Sequence, residues 1–508
     1  MDFTPIAEYL EAEKEKKKNM TKEEKKAAKE AKDKMEAPFL FATLNGQKEK
    51  VGNFRVEPPG LFRGRGEHPK MGMLKERIQP EDVIINIGKD ARLPVPYTHT
   101  ADFQLVELKG RHWKEVRNDQ HVAWMAGWHD TINIQDWKYV QFAATSSVKA
   151  ESDLKKYEKA RKLCKYIDKI RQDYTKAMKS SDIERAQLAC ATYLVDKLAL
   201  RAGGEKDEDE ADTVGVTTLR LGHLTFDEDG ETVHFDFLGK DSIRYEQSHK
   251  LTVDAYQAMK RFASCPREKS YERNGKKYAA GQKKCDEDDL FGHIDPTAVN
   301  EHLASLVPEL RPTIKVFRTY NASILLDNML SMIGDDREVQ STKGRNTAIQ
   351  VGAKVEFYNK ANKEVAILCN HQKAVAKNHG EQLEKKVAKR DEVLGKIKEL
   401  KKDKSVPADK KAAKMKALED QLDRAERAVK QKEDLKTVSL NTSKINYMDP
   451  RITIAFCKKF DVPIEKCFNR ALLEKFGWAM EGHPDWRFDP SVDPTQRLHD
   501  PEDADDDD

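Results

Sequence analysis

No apolar run in the chain approaches the length of about eighteen residues that a bilayer-spanning helix requires. The opening Met1-Asp-Phe-Thr does not read as a secretory leader, so no membrane partner is expected. Cysteine is sparse. The seven present (Cys164, Cys190, Cys265, Cys285, Cys369, Cys457 and Cys467) are scattered singly with no C-x-x-C pair. That argues against disulfides and structural zinc and fits a reducing compartment. There is no G-x-x-x-x-G-K-[ST] and no metal-ligand spacing, so neither ATP nor a metal is expected and no cofactor is assigned.

What is present in quantity is charge: 35% of the 508 residues are charged against 38% hydrophobic, so a substantial core is diluted by long solvated segments. The length allows roughly two to four domains. Net charge is only +3, but Asp500–Asp508 carries seven acids, which leaves the remainder at +10. A basic body with an acidic tail suits a polyanionic partner, although an ordinary charged surface would give the same balance.

The composition changes along the chain. Residues 1–36 are Lys/Glu-rich and read as exposed helix with i,i+4 pairs or as disorder. From 37 to 150 the chain becomes globular. It contains Gly60-Leu-Phe-Arg-Gly-Arg-Gly-Glu-His-Pro-Lys-Met-Gly, a loop whose glycines allow close approach to phosphates, with Arg63, Arg65 and Lys70 interleaved. Strand-like runs at Val83–Ile87 and Tyr139–Phe142 mark a β-containing unit, with Trp113, Trp124, Trp128 and Trp137 as core. From 151 to 376 the period is largely helical. Ala186–Ala202 reads as an amphipathic helix closed by the glycines of Arg201-Ala-Gly-Gly. Strands follow at Thr217–Leu221, Val233–Leu238 and Ser242–Tyr245, the last two joined at Gly239-Lys240-Asp241. A helix opens at Lys315 and carries Arg318; another spans Tyr358–His371 and ends on His371.

The stretch 377–436 contains two heptad seams within 381–436, Leu383, Val387, Leu394, Ile397 and then Met415, Leu418, Leu422, Ala425, Val429. Ser405-Val-Pro-Ala-Asp between them predicts a turn with a cap at Asp409, hence an antiparallel coiled-coil hairpin. It is net basic, with 18 Lys/Arg against 13 Asp/Glu. Residues 437–484 place Tyr447 in Asn441-Thr-Ser-Lys-Ile-Asn-Tyr-Met-Asp-Pro-Arg, where the Asp449-Pro450 step should stop a helix. Residues 485–508 read as a disordered acidic tail.

Taken singly, each polar candidate has a plain reading. Arg201 could compensate a helix dipole, Lys240 could be a solubilising hairpin tip, His371 a cap and Tyr447 a surface phenol. Taken together, two arginines, a lysine, a histidine and a tyrosine form a coherent set for attack on a phosphodiester. Guanidinium forks and an imidazole N–H can stabilise charge on non-bridging oxygens, each such donor being worth roughly 10²–10³ in rate. A tyrosine can be the nucleophile, and its reference pKa near 10 requires a positive neighbourhood. A lysine can protonate the departing oxygen.

Several motifs then resemble the eukaryotic type IB DNA topoisomerases: Ala199-Leu-Arg-Ala-Gly, Asp236-Phe-Leu-Gly-Lys-Asp-Ser-Ile-Arg-Tyr, Lys315-Val-Phe-Arg-Thr-Tyr-Asn-Ala-Ser, Leu368-Cys-Asn-His-Gln and Ser443-Lys-Ile-Asn-Tyr-Met-Asp-Pro-Arg-Ile-Thr. Pro58–Lys75 and Lys458–Lys466 extend the resemblance, which preserves order from about residue 20 to 484. It implies an α+β, predominantly helical fold: a DNA clamp with a β-containing cap subdomain, a tyrosine-recombinase-like catalytic core and a coiled-coil linker. It also implies Tyr447 as nucleophile, Arg201, Arg318 and His371 around the scissile phosphate, and Lys240 as general acid. Arg63, Arg65, His68, Lys70, Lys75, Asp241 and Asn446 would contact DNA, with Arg65, Asp241 and Asn446 at positions tied to camptothecin-type poisons. The implied partner is supercoiled, chromatin-associated duplex DNA, handled by a monomer in the nucleus through a 3′-phosphotyrosine without ATP or metal.

Two departures accompany the resemblance. The chain begins at the Lys/Glu helices, where the family usually carries a disordered basic arm and part of the cap. It is therefore expected to lack that part or to clamp with a reduced cap. Extra sequence near Thr98–Gly110 and Ser264–Lys284 is expected as surface loops. The rival readings are a tyrosine recombinase, disfavoured by Lys315-x-x-Arg318 in place of His-x-x-Arg and by the linker, and a non-catalytic DNA-binding fragment.

Overall fold

The computed structural model describes residues 4–99, 105–206, 210–273, 275–403, 405 and 407–495. The acid-rich stretch 500–508 lies outside the described residues. Helices outweigh strands, and the sheets are small, as an α+β chain of mainly helical character requires. The chain divides into two compact units, residues 1–63 with 70–152, and residues 64–69 with 153–508.

The first unit opens with two helices, Thr4–Asn19 and Lys22–Glu36, neither burying a residue. Thr21 and Glu24 cap the second reciprocally: Thr21 Oγ1 accepts from Glu24 N (3.2 Å) and Glu24 Oε2 accepts from Thr21 N (2.7 Å). Of the two forms open to residues 1–36, the helical one is present in the described part, 4–36. Trp137–Gln141, Trp124–His129, Ile84–Asn86 and Glu115–Arg117 form a sheet in that order, antiparallel except for the last pair. Val83, Ile85 and Trp128 are its buried core. Trp113, Trp124 and Trp137 are only half-buried, so three of the four expected core tryptophans lie at its margin. The expected surface loop at Thr98–Gly110 contains paired strands Tyr97–His99 and Leu105–Glu107, with 100–104 outside the described residues.

The second unit is organised around the helix Ile183–Leu198. It is buried on nearly every face and so is not amphipathic. Its buried Asp196 is satisfied by Arg171 Nε and the Tyr174 hydroxyl, both at 3.0 Å. The helix ends earlier than expected, at Ala199 in the left-handed conformation (φ 48°). Of the two glycines expected to close it, Gly203 and Gly204, the first serves another purpose. Gly203 and Gly215 pass so closely that a Cβ on Gly215 would stand 2.2 Å from Gly203 N. This lets Arg201 O and Ala202 O accept from Val216 N (2.8 Å) and Thr217 N (2.9 Å).

Thr217–Leu221 is not a strand but two 3-10 turns, Val216–Thr218 and Leu221–His223, because Thr218 Oγ1 captures Gly215 N at 3.0 Å and curls the chain. The three-stranded sheet is Leu224–Phe226, Thr232–Leu238 and Arg244–Lys250, all antiparallel. Ser242 is excluded from the last strand by its positive φ of 56°. Ser264–Lys284 is no simple surface loop. Lys284 is buried on Glu268 (2.7 Å), Arg267 pairs with Asp288, and Tyr271–Arg273 pairs with Lys276–Tyr278.

Helices Ile314–Ser331 and Thr347–Leu368 complete the core, the second ending three residues before His371. Helices His379–Lys402 and Ala408–Asp434 run antiparallel: Lys432 Nζ reaches Gln382 Oε1 (2.8 Å) at one end and Lys411 Nζ reaches Lys401 O (3.0 Å) at the other. Asp409 lies inside the first turn, with Pro407 at the cap position. The second helix is anchored by Arg345–Asp420 (3.1 Å), Arg427–Glu356 (2.6 Å) and Lys430–Glu338 (3.0 Å). The chain expected to become a tail at residue 485 stays packed through the described residues: Phe488 is fully buried and Asp493 pairs with buried Arg161.

Candidate active site

Arg201, Lys240, Arg318 and His371 line one cleft of about 260 Å³ in the second unit, floored by Phe237, Tyr245 and Cys369. They come from four separate stretches. Arg201 follows the left-handed stop at Ala199. Lys240 stands on the hairpin between Thr232–Leu238 and Arg244–Lys250. Arg318 is on the helix Ile314–Ser331, and His371 follows Asn370, another left-handed stop (φ 53°).

Tyr447 closes the short helix Leu440–Asn446, whose carbonyl at Ser443 accepts from Tyr447 N at 2.9 Å. The next helix begins at once: Asp449 caps Pro450–Lys459 by accepting from Arg451 N (3.0 Å). The Asp449-Pro450 step therefore both ends one helix and starts another. The phenol ring stacks on His371 at 5.4 Å, and the Arg318 guanidinium carbon lies 4.9 Å from its centroid. Burial pushes the Tyr447 pKa up, but the charges of Arg318 and Arg201 and their hydrogen bonds to the phenol outweigh it and hold it below the ordinary value.

Arg318 is almost fully buried and its orientation is fixed. Its terminal nitrogens donate to Ala199 O and to Cys369 O (3.1 Å). Its Nε has no hydrogen-bond partner, and neither has His371 Nε2, although both atoms are buried. Two buried unpartnered nitrogens beside a cationic cleft ask for an acceptor. Burial, with Arg318 and Arg201 adding repulsion, drives the His371 pKa down to about 3, so the imidazole is neutral at ordinary pH.

Lys240 differs from these groups in being exposed. The loop that carries it places Asp241 (φ 67°) and Ser242 (φ 56°) in the left-handed region. It is braced from outside by residues 64–69. Arg65 pairs with Asp241 at 2.5 Å, and Gly66 (φ 58°) comes so near Ser242 that a Cβ would meet its Oγ at 2.3 Å.

The remaining candidates fall as follows. Arg65, His68, Asp241 and Asn446 belong to the second unit, Asn446 exposed with its amide on Thr442 O (3.1 Å). Arg63, Lys70 and Lys75 belong to the first unit. There Lys75 is engaged by Asp130 (3.2 Å) and Glu57, and Lys70 reaches Ile132 O at 3.4 Å. Two further residues carry the site's geometry without any sequence signal for their task. Ser323 Oγ donates to Tyr447 O (3.1 Å) and accepts from Asp449 N (3.0 Å), and Ser443 Oγ lies 2.7 Å from His371 Nδ1.

Comparison with known proteins adds the family. A profile described as "Eukaryotic DNA topoisomerase I, catalytic core" matches residues 145–404, "Eukaryotic DNA topoisomerase I, DNA binding fragment" matches 1–142, and "C-terminal topoisomerase domain" matches 419–488. "DNA topoisomerase 1 beta" of Arabidopsis thaliana is 47% identical over 511 residues, covering 97% of this chain and 51% of that protein. "DNA topoisomerase 1" of Caenorhabditis elegans is 43% identical over 94% of this chain and 56% of its own length. The Homo sapiens protein of the same name is 42% identical over 94% and 60%. The chain thus spans about half to three fifths of these relatives. With the core profile matching half of its residues, the chain belongs to the eukaryotic DNA topoisomerase I family.

Proposed function

We propose that the chain is a type IB DNA topoisomerase that relaxes supercoiled duplex DNA by transient cleavage of one strand. Tyr447, its phenol acidified by Arg201 and Arg318, attacks a backbone phosphorus. The bond to the 5′ oxygen breaks, the 3′ phosphate becomes esterified to the tyrosine, and Lys240 gives its proton to the departing oxygen. Arg201, Arg318 and His371 hold the non-bridging oxygens while charge builds on them. The free 5′-hydroxyl strand turns about its partner and then attacks the phosphotyrosine, restoring the backbone with no external energy source. The observation that carries this reading is the neutral His371 and the fixed Arg318, each with an unpartnered nitrogen, flanking one acidified phenol.

In this reading residues 37–150 form the DNA-embracing cap, 151–376 the catalytic core, 377–436 the linker and 437–484 the segment that brings the nucleophile. Arg63, Arg65, His68, Lys70, Lys75, Asp241 and Asn446 touch DNA, and the protein acts as a monomer on nuclear chromatin. The test is relaxation of supercoiled plasmid in EDTA without ATP, alongside Tyr447→Phe. The intact chain should relax the plasmid and leave a denaturation-resistant adduct on the 3′ end. Tyr447→Phe should bind DNA equally and form none. An adduct in that variant, or one on a 5′ end, would sink the assignment.

A further inference from the structure

His371 can donate to a phosphate oxygen only from a nitrogen that carries a proton, and a neutral imidazole has one. Its Nδ1 lies 2.7 Å from Ser443 Oγ, with both residues buried, while Nε2 has no partner. Which nitrogen holds the proton is set by the bond the other one makes. If Ser443 accepted, the proton would sit on Nδ1 and a bare lone pair on Nε2 would meet any anion in the cleft.

We propose, resting on the topoisomerase reading, that Ser443 is a positioning residue: its hydroxyl donates to Nδ1 and so keeps the ring proton on Nε2, ready for the scissile phosphate. The placement has a second consequence. Ser443 is one helical turn before Tyr447, and its carbonyl holds Tyr447 N (2.9 Å) and Met448 N (3.0 Å). Tyr447 itself stacks on the same imidazole at 5.4 Å. The carbonyl of His371 in turn accepts from Ser439 N at 2.8 Å, so the short helix grips the histidine from both its ends. One turn of helix thereby delivers the nucleophile and sets the tautomer of an oxyanion donor on another segment. Docking that turn arms both groups together.

The test uses the full chain and three variants, Ser443→Ala, Ser443→Thr and His371→Gln, with ¹⁵N-labelled histidine. Long-range ¹⁵N–¹H shifts, assigned to His371 by their loss in His371→Gln, should report the Nε2–H tautomer in the parent and in Ser443→Thr. In Ser443→Ala they should show a mixture or the Nδ1–H form. Single-turnover cleavage should fall about 10-fold in Ser443→Ala, part of the roughly 10²–10³ that one oxyanion donor supplies, with DNA affinity unchanged and recovery in Ser443→Thr. In the His371→Gln background the same alanine change should cost nothing more, because Ser443 acts through the imidazole. Equal losses in both backgrounds, or an Nε2–H ring in Ser443→Ala, would overturn the proposal and leave Ser443 a packing residue. A parent chain that fails to cleave DNA would instead refute the topoisomerase reading, while the ¹⁵N measurement would still decide the role of Ser443.

Discussion

The cleft is built in two ways. On one side Arg318 is clamped by the carbonyls of Ala199 and Cys369, and His371 is held between Ser443 and the Tyr447 ring. On the other, Lys240 stands exposed on a loop braced only through its neighbours Asp241 and Ser242. In the proposed mechanism the clamped groups stabilise charge on oxygens whose positions are fixed by the phosphorus, so any freedom in them would be lost on binding. In the same mechanism the lysine follows an oxygen that departs, which a fully clamped side chain could not do. Rigidity and exposure would then be distributed by the task of each group.

The sharpest way to break this comparison is Arg318→Lys. It keeps the charge but loses the planar fork that spans two carbonyls and the phenol. Single-turnover cleavage should fall by about 10²–10³. A loss under tenfold would show that charge alone suffices on the clamped side.

Lys240→Ala tests the exposed side. Cleavage of ordinary DNA should fall by about 10², the usual scale of general-acid catalysis. On a 5′-bridging phosphorothiolate, whose sulfur leaves without a proton, most of the rate should return. Equal defects on both substrates would make Lys240 a clamp as well.

His371 gives a stability readout. Its folded pKa of about 3 lies below the value of about 6.5 in an unfolded chain. The unfolded state therefore binds the extra proton between those values, and His371 withdraws stability as pH falls from 6.5 toward 3. At pH 5 this amounts to about 2 kcal/mol. His371→Gln should accordingly lose less stability than its parent between pH 8 and pH 5 in urea titrations, and parallel curves would reject the neutral imidazole.

The smallest effect is expected furthest from the clamps. Replacing residues 381–436 with a short flexible loop should leave cleavage intact. If the hairpin's excess of 18 Lys/Arg over 13 Asp/Glu meets DNA, the loss should lower the salt optimum of relaxation and reduce the supercoils removed per cleavage event. Unchanged values in both assays would make the hairpin a passive spacer.

Much of this was legible in the sequence, and the rest fails for definite reasons. The paired linker helices follow from apolar spacing, which is local. The ends of helices do not. Ala199 and Asn370 stop two helices in left-handed conformations that neither residue announces, so Arg201 and His371, which the sequence pattern puts inside or at the end of those helices, in fact follow them. Gly203 and Gly204 look like a helix stop, but Gly203 instead crosses the backbone at Gly215, a contact visible only once residues twelve apart meet. Thr217–Leu221 alternates like a strand, but the Thr218 hydroxyl turns it. Ser323 and Ser443 stand at the end of one family motif and the start of another, but nothing in the sequence announces their tasks, since a serine's task is set by what lies opposite it. At the far end, residues 485–508 read as tail because their acids outnumber their apolar residues, an excess that comes from 500–508, yet Phe488 and the Arg161–Asp493 pair hold the 485–495 part down.

The two carbonyls that Arg318 grips are loose ends of helices, left by Ile183–Leu198 and Thr347–Leu368, which approach each other only in the finished core. The guanidinium that lowers the tyrosine pKa is thus also the rivet that records their meeting. On the proposed mechanism, a chain in which those two helix ends have not met keeps its tyrosine but not the guanidinium that acidifies it. The power to break a strand would then be tied to the assembled core.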